Sequence, residues 1–203
     1  MPETLAVDRI VVRWYAPETG GIAKPQFVLA RELAFEARLE ALADPDPDGA
    51  SYRDRHVRAA LDRHIAEVLL ASLPVRPEPT PDEIATRAQG AWAMQEQRVG
   101  GREALLAAAI AEGIDLEELN AMLRRQAKAS LYLDRMIAPM LEPNEPELLA
   151  LHRTGATPFS GKPFDEVKDK LKRWYVGARL AQALDAYFQN ARQRVTIIAI
   201  KKP

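Results

Sequence analysis

Carboxylates and three histidines are the side chains considered first for chemistry, and the 203 residues include no cysteine. A chain without cysteine has no thiol nucleophile, no disulfide framework and no cysteine-ligated metal. The sequence also lacks a phosphate-binding glycine loop. Acidic residues spread over predicted helix faces are ordinary solvated surface, although residues far apart in sequence could still assemble a site in the fold. We therefore expect no catalytic residue, no cofactor and no enzymatic activity.

His56 and His64 are the candidate metal ligands of one predicted helix. They lie two turns apart, whereas a chelating pair on a helix lies one turn apart, at positions i and i+4. We interpret both histidines as surface or boundary side chains. No metal site is expected from them.

One acidic segment imitates the start of a calcium loop, because residues 44–49 have the sequence Asp-Pro-Asp-Pro-Asp-Gly. In a helix-loop-helix calcium site the twelfth loop position supplies a bidentate carboxylate, and that position here is Arg55. The two prolines also restrict how the loop can wrap around an ion. We interpret the segment as a stiff acidic loop between two helices.

The charge balance argues against a nucleic-acid-binding protein. The formal net charge is -1, whereas a nucleic-acid binder carries a clear basic excess. No apolar run approaches the ~20 residues that span a bilayer, so no integral membrane segment is expected. Residues 1–8 lack a cationic start followed by an apolar stretch, so either the protein is cytoplasmic or the chain begins after a removed signal peptide.

The prediction of the fold starts in residues 163–201, near the C-terminal end. Apolar residues recur there at steps of three and four, which predicts an amphipathic helix. The segment that follows, residues 195–200, is short and rich in β-branched side chains, which predicts a strand. Residues 9–14 are the only comparable stretch, and a lone strand needs a partner. We therefore expect the N-terminal and C-terminal strands to pair in one small sheet.

Between these two strands the sequence predicts a mainly α-helical fold. We expect a turn, a brief return strand at Ile22 and Ala23, and a helix that opens at Pro25. Further helices are predicted over residues 52–73, from 80 to the glycine pair at 100 and 101, over 102–112 and over 115–138. The buried stripe of the last of these is predicted to begin at Leu116. Capping boxes are predicted at Thr80 with Glu83, Asp115 with Glu118, and Asn144 with Glu147.

Three motifs, taken in this order, indicate a family. They are Val7-Asp8-Arg9-Ile10-Val11 in the first strand, Thr80-Pro81-Asp82-Glu83 at a helix start, and Pro163-Phe164-Asp165-Glu166-Val167 at the start of the last helix. Together with the strand that returns to the N-terminal module, this order resembles the SurA-like periplasmic chaperones, relatives of the parvulin prolyl isomerases. The resemblance covers most of the chain and depends on the order of the elements.

The chain differs from that family at the place where a parvulin domain is usually inserted. Only residues 142–162 lie between the expected N-terminal module, residues 1–141, and the C-terminal helix and strand, residues 163–203. The resemblance thus implies a single chaperone-like core, residues 1–203, in which 142–162 is a linker. The paired histidines and glycine-rich strands of a parvulin domain are missing, so prolyl isomerase activity is not expected.

The resemblance implies a non-catalytic chaperone, or holdase, of the periplasm. Its partners would be unfolded or partly folded envelope proteins, as in outer membrane protein assembly, bound through an apolar groove. The alternative is a dedicated interaction or assembly module for one specific envelope partner. Exchange of the C-terminal helix and strand between two copies, with residues 154–162 as a hinge, would give a homodimer.

The candidate client-binding residues are methionines and aromatic residues at helical spacing, because such side chains adapt to varied apolar partners. They are Trp92, Met94, Met122, Met136, Met140, Trp174 and Tyr175. Burial in the core is the alternative for each of them. An exposed, contiguous apolar groove would favour client binding.

Overall fold

The computed structural model describes residues 8–45 and 52–200. In these residues the fold is mainly α-helical with one small antiparallel sheet, as predicted. The strands are β1 (Ile10–Tyr15), β2 (Gln26–Leu29) and β3 (Thr196–Ala199). The helices are α1 (Ala30–Leu42), α2 (Asp54–Ser72), α3 (Pro81–Val99), α4 (Arg102–Ala111), α5 (Leu116–Tyr132), α6 (Glu145–Arg153) and α7 (Phe164–Arg194).

The chain forms two compact units. The first unit takes in the chain up to Tyr132 and again from Arg194, so it contains the sheet and α1 to α5. The second unit is Leu133–Gln193 and contains α6 and nearly all of α7.

The sheet confirms that the two ends of the chain pair. Its strand order is β2-β1-β3, with both neighbours antiparallel to β1. Trp14 lies opposite Gln26 and Ile197, and its side chain is fully inaccessible, whereas Ile197 at the edge strand is 44% exposed. Arg13 lies on the other face, opposite Phe27 and Ile198, both of which are exposed. Because the side-chain period of a strand is two, β1 presents one face to the core and one to solvent.

The return strand predicted at Ile22 and Ala23 is wrong. Short 3-10 turns occupy Pro17–Thr19 and Gly21–Ala23, and β2 follows at Gln26–Leu29. Gly20 adopts a left-handed conformation, with φ of 102°, between the two turns. The helix predicted from Pro25 therefore begins at Ala30, because pairing with β1 outweighs the helical preference of these residues.

All three predicted capping boxes are confirmed. In α3 the Thr80 hydroxyl accepts from the amide of Glu83 at 3.2 Å, and the Glu83 carboxylate accepts from the amide of Thr80 at 2.8 Å. The same reciprocal pairs start α5 and α6. At the other end of α3, Gly100 and Gly101 both have positive φ, which explains why glycines separate α3 from α4.

The main core of the first unit lies between α1, α3, α4 and α5. Its buried members include Phe35 and Leu39 of α1, Leu105 of α4, and Leu119 and Leu123 of α5. The stripes of small and large apolar residues at helical spacing account for this packing. The core positions the surfaces of α3 and α5 that line the groove described below.

The second unit is built on the first half of α7. Lys168 and Lys172 of this helix form ion pairs of 2.8 Å with Glu145 and 2.7 Å with Glu142. The rings of Phe164 and His152 pack in a T-shaped arrangement, with their centroids 5.7 Å apart. From residue 172 to 190 no α7 side chain is fully buried. In the described residues no helix is both long and apolar enough to cross a membrane.

Candidate functional site

A surface groove of about 540 Å³ lies between α3 and α5 and includes the first residue of α4. We call it the Trp92 groove. Its lining residues are Ala85, Ala88, Gln89, Trp92, Arg102, Leu116, Asn120 and Arg124. The lining combines alanine, leucine and tryptophan side chains with amide groups and arginines, and it contains no carboxylate, imidazole or hydroxyl. These residues can bind a ligand but offer no general base or nucleophile.

Leu116 is the most exposed large apolar side chain of the groove, at 60% of its surface. It was predicted to open the buried stripe of its helix, and that prediction is wrong. Leu116 is the first residue of α5, and burial along the helix begins one turn later, at Leu119. The capping box of Asp115 and Glu118 fixes the helix start at this point. Leu116 is therefore held on the surface, where it lines the same groove as Trp92.

Trp92 is half-buried and fixed by two neighbours. Its indole N–H donates to the carboxylate of Glu96, one turn along α3. The guanidinium of Arg102 lies 5.1 Å from the centre of the indole ring, within the range of a cation-π contact. Arg102 also approaches Glu96 at 3.4 Å. These contacts hold the indole as a rigid aromatic wall of the groove.

The predicted client-binding residues of the first unit have three different environments. Trp92 lines the groove. Met94 is 69% exposed on α3 but is not among the lining residues. Met122 packs against the main core and lines a small, partly open cavity. The structure thus places one of these three side chains in the groove.

The other four predicted residues belong to the second unit. Met140 is 80% exposed and Trp174 is 37% exposed, while Met136 and Tyr175 are half-buried. None of the four is among the lining residues of the Trp92 groove. Sequence reasoning also missed Leu116, Arg102 and Arg124 as lining residues. One signal in the sequence could have revealed Leu116. It directly follows the capping residue Asp115, and the first residue of a helix often lies before the turn that packs against the core.

His64 is buried, with 2% of its surface exposed, so its prediction as a surface or boundary residue is wrong. Its Nδ1 lies 3.2 Å from Glu36 and 3.7 Å from Glu32, both on α1. Arg125 of α5 binds the same two carboxylates, at 2.8 Å to Glu32 and 3.1 Å to Glu36. These four side chains join α1, α2 and α5. The partners of His64 lie about thirty residues or more away in sequence, so helical spacing could not reveal its burial.

The same cluster is the place where the described residues could hold a cation. The ligand atoms of Glu32, Glu36 and His64 all lie within 4.8 Å of one another. The Arg125 guanidinium already supplies positive charge to both carboxylates, with hydrogen-bonding geometry. A metal ion would have to displace that guanidinium. The arrangement is that of an internal ion-pair network.

His56 is also buried, in contrast to its predicted surface or boundary position. Its Nδ1 accepts from the amide of Arg53 at 3.0 Å, and its Nε2 lies 2.9 Å from Asp44. Arg55 approaches the same Asp44 oxygen at 2.7 Å. The first acid of the calcium-like segment is therefore bound by two side chains of α2. Residues 46–49 of that segment lie outside the described residues.

Glu67 of α2 borders the ion-pair network. Burial raises its pKa to about 7, and the nearby carboxylate of Glu36 adds to the rise. The guanidinium groups of Arg125 and Arg63 oppose it. The carboxyl group of Glu67 therefore changes charge near neutral pH.

A small, partly open cavity of about 30 Å³ lies beside this network, within the first unit. Four buried polar atoms of its lining residues make no hydrogen bond among the described residues. They are Glu36 Oε2, Gln95 Oε1, Arg98 Nη1 and Arg125 Nε. Two of them are donors and two are acceptors. The volume accommodates one or two water molecules, which donate and accept equally well.

The chain matches no protein-family model, no curated protein and no solved structure in comparisons with known proteins. The residues that line the Trp92 groove present an apolar surface, a rigid aromatic ring and two guanidinium groups, which suits a polypeptide segment better than a small polar metabolite.

Proposed function

We propose that the chain is a non-catalytic chaperone of the holdase type, which binds unfolded or partly folded envelope proteins through the Trp92 groove. The observation that carries the proposal is a groove of about 540 Å³ that is lined by both the exposed Leu116 and the fixed indole of Trp92. Water covers this apolar surface in the free protein. A client side chain that replaces the water gains about 25 cal/mol for each Å² of apolar surface buried.

The order of the elements supports the same proposal. Pairing of β3 with β1 is the arrangement expected from the resemblance to SurA-like chaperones. That resemblance is also the reason for placing the function in the periplasm and for connecting it with outer membrane protein assembly. The lining of the groove fits binding without bond-making chemistry.

A dedicated assembly module for one envelope partner is the second candidate. The observation that favours it is the solvent-facing side of the sheet, where Phe27, Ile198 and Ile200 are all exposed. A sheet face with several exposed apolar side chains around Arg13 suits one complementary protein surface better than many different extended segments.

The test is suppression of aggregation of an unfolded outer-membrane protein by substoichiometric to equimolar amounts of the chain. A prolyl isomerisation assay on the same preparation should show no activity. We expect Leu116→Ser to lose most of the suppression, because it removes the most exposed large apolar side chain of the groove.

Ile110→Ser is the matched control, since Ile110 is an apolar residue with 77% exposure that does not line the groove. It should suppress aggregation like the unmodified chain. Equal loss in both variants would contradict a role for the groove. If the unmodified chain suppresses the aggregation of no client, the holdase proposal is contradicted and the dedicated assembly module is favoured.

A further inference from the structure

We infer that the Trp92 groove selects client segments in which a large apolar side chain lies three or four residues from a carboxylate. This inference rests on the proposed function and names the class of segment that the groove takes. Its basis is charge: both charged residues that line the groove, Arg102 and Arg124, are arginines. A segment of opposite charge complements them, and a basic segment is repelled.

Arg124 is the guanidinium available to a client. It is exposed on α5 and makes no hydrogen bond or ion pair with the residues that the structure describes. The next residue, Arg125, lies on another side of α5 and binds Glu32 and Glu36 of α1. A guanidinium has five N–H donors and binds a carboxylate through two parallel hydrogen bonds. Arg124 therefore has its full donor set free for a ligand.

Arg102 adds positive charge at the tryptophan. Its side chain is 66% exposed, and its contact with Glu96 is long, at 3.4 Å. An exposed ion pair of this kind contributes little to stability, so Arg102 keeps most of its donors for a ligand. It stacks on Trp92, which places a cation beside the apolar wall.

The spacing along α5 sets the length of the segment. Leu116, Asn120 and Arg124 follow one another at steps of four on the same face of the helix. Eight residues of helix rise about 12 Å, which an extended chain spans in about four residues, at ~3.3 Å each. An apolar side chain bound at Leu116 thus places a carboxylate three or four residues away beside Arg124.

Two amide side chains lie among the same lining residues, Gln89 on α3 and Asn120 on α5. Each offers both donors and an acceptor. They can hydrogen-bond the main chain of an extended segment between its apolar side chain and its carboxylate. This contact is independent of the client sequence, so selection depends on the two end groups.

Three labelled peptides test the inference by fluorescence anisotropy. They share one leucine and differ only four residues later, where they carry Asp, Asn or Lys. We expect the Asp peptide to bind about tenfold more tightly than the Lys peptide. The difference should shrink as salt rises from low concentration, because the arginines are exposed.

Two variants locate the effect. Arg124→Glu should reverse the order of the Asp and Lys peptides. Lys128→Glu changes the same charge one turn further along α5, outside the groove lining, and should leave the order unchanged. Circular dichroism checks that both variants fold.

Equal affinity for all three peptides, or the same order in Arg124→Glu, would overturn the inference and leave the proposed function standing. Absence of binding to every peptide, together with absence of aggregation suppression, would overturn both. Suppression without any peptide binding would overturn the inference alone, because the client site would then lie elsewhere.

Discussion

Two consecutive arginines of α5 differ in their contacts: one forms internal ion pairs and the other is exposed to solvent. Arg125 is committed to the carboxylates of Glu32 and Glu36, whereas Arg124 is exposed at the groove. A helix turns by about 100° per residue, so neighbours in sequence face different surroundings. The pair Arg124-Arg125 in the sequence gives no sign of which arginine is structural, because that depends on carboxylates contributed by α1.

At the same scale, Glu67 links the stability of the fold to pH. Its pKa is raised from an ordinary 4.5 to about 7 in the folded protein. The folded state therefore binds its proton more tightly than the unfolded state does. The resulting stabilisation is fully present below about pH 4.5 and is lost as the pH rises through 7, by roughly 3 kcal/mol in total.

We expect Glu67→Gln to remove this dependence, since glutamine resembles the protonated carboxyl group. The variant should match the unmodified chain near pH 4.5 and exceed its free energy of unfolding above pH 7, by roughly 2–3 kcal/mol. Urea denaturation at several pH values measures the difference. Glu103→Gln, on the exposed surface of α4, is the control and should show no such divergence. A constant difference between Glu67→Gln and the unmodified chain at all pH values would contradict the predicted protonation.

The helix starts are where sequence and structure agree best. Thr80 and Glu83 form their capping box from residues three apart, so the information is local. β2 is the counter-example. Residues 26–29 lack a strong strand pattern of their own, and they become a strand because β1 lies beside them. The strand at 196–199 has β-branched residues and could be found from the sequence.

The capping box of α3 makes a measurable contribution to stability. We expect Thr80→Ala to lower the free energy of unfolding by about 1 kcal/mol, because the amide of Glu83 loses its hydrogen-bond acceptor. Thr86→Ala, at an exposed position in the middle of the same helix, should leave stability unchanged or raise it slightly. Thermal unfolding followed by circular dichroism compares the two. Equal effects at both positions would argue against the cap.

For the candidate site, the sequence identified Trp92 but not its surroundings. Leu116, Arg102 and Arg124 come from two other helices, and the groove exists only after α3 and α5 pack together. Met122 has a different environment from Trp92. It has the residue type and spacing of an adaptable surface side chain, yet it packs against the core. Type and spacing alone do not separate these two outcomes.

On the scale of the whole molecule, β3 completes the sheet of the first unit. β1 would keep only β2 as a neighbour without it, and two-stranded ribbons are marginally stable. We expect a chain shortened to residues 1–194 to unfold at lower denaturant concentration than the full chain, with loss of the buried environment of Trp14.

A chain that ends at Ile200 is the control. It retains β3 and the hydrogen bond from the amide of Ile200 to the carbonyl of Val11, at 2.9 Å. Its denaturation midpoint should equal that of the full chain. Tryptophan fluorescence during urea unfolding measures all three proteins. An unchanged midpoint in the 1–194 chain would show that β3 does not stabilise the sheet.

The pairing of β1 with β3 also has a consequence for biosynthesis. Tyr15 lies opposite Thr196, so the ribosome adds about 180 residues after β1 before its second neighbour exists. At a translation rate of ~5–20 residues per second, one edge of β1 stays unpaired for on the order of ten seconds or more. Contacts so distant in sequence also slow folding. The nascent chain thus has an unpaired strand edge while it is synthesised. A factor that shields such edges would therefore help this protein to fold during its synthesis.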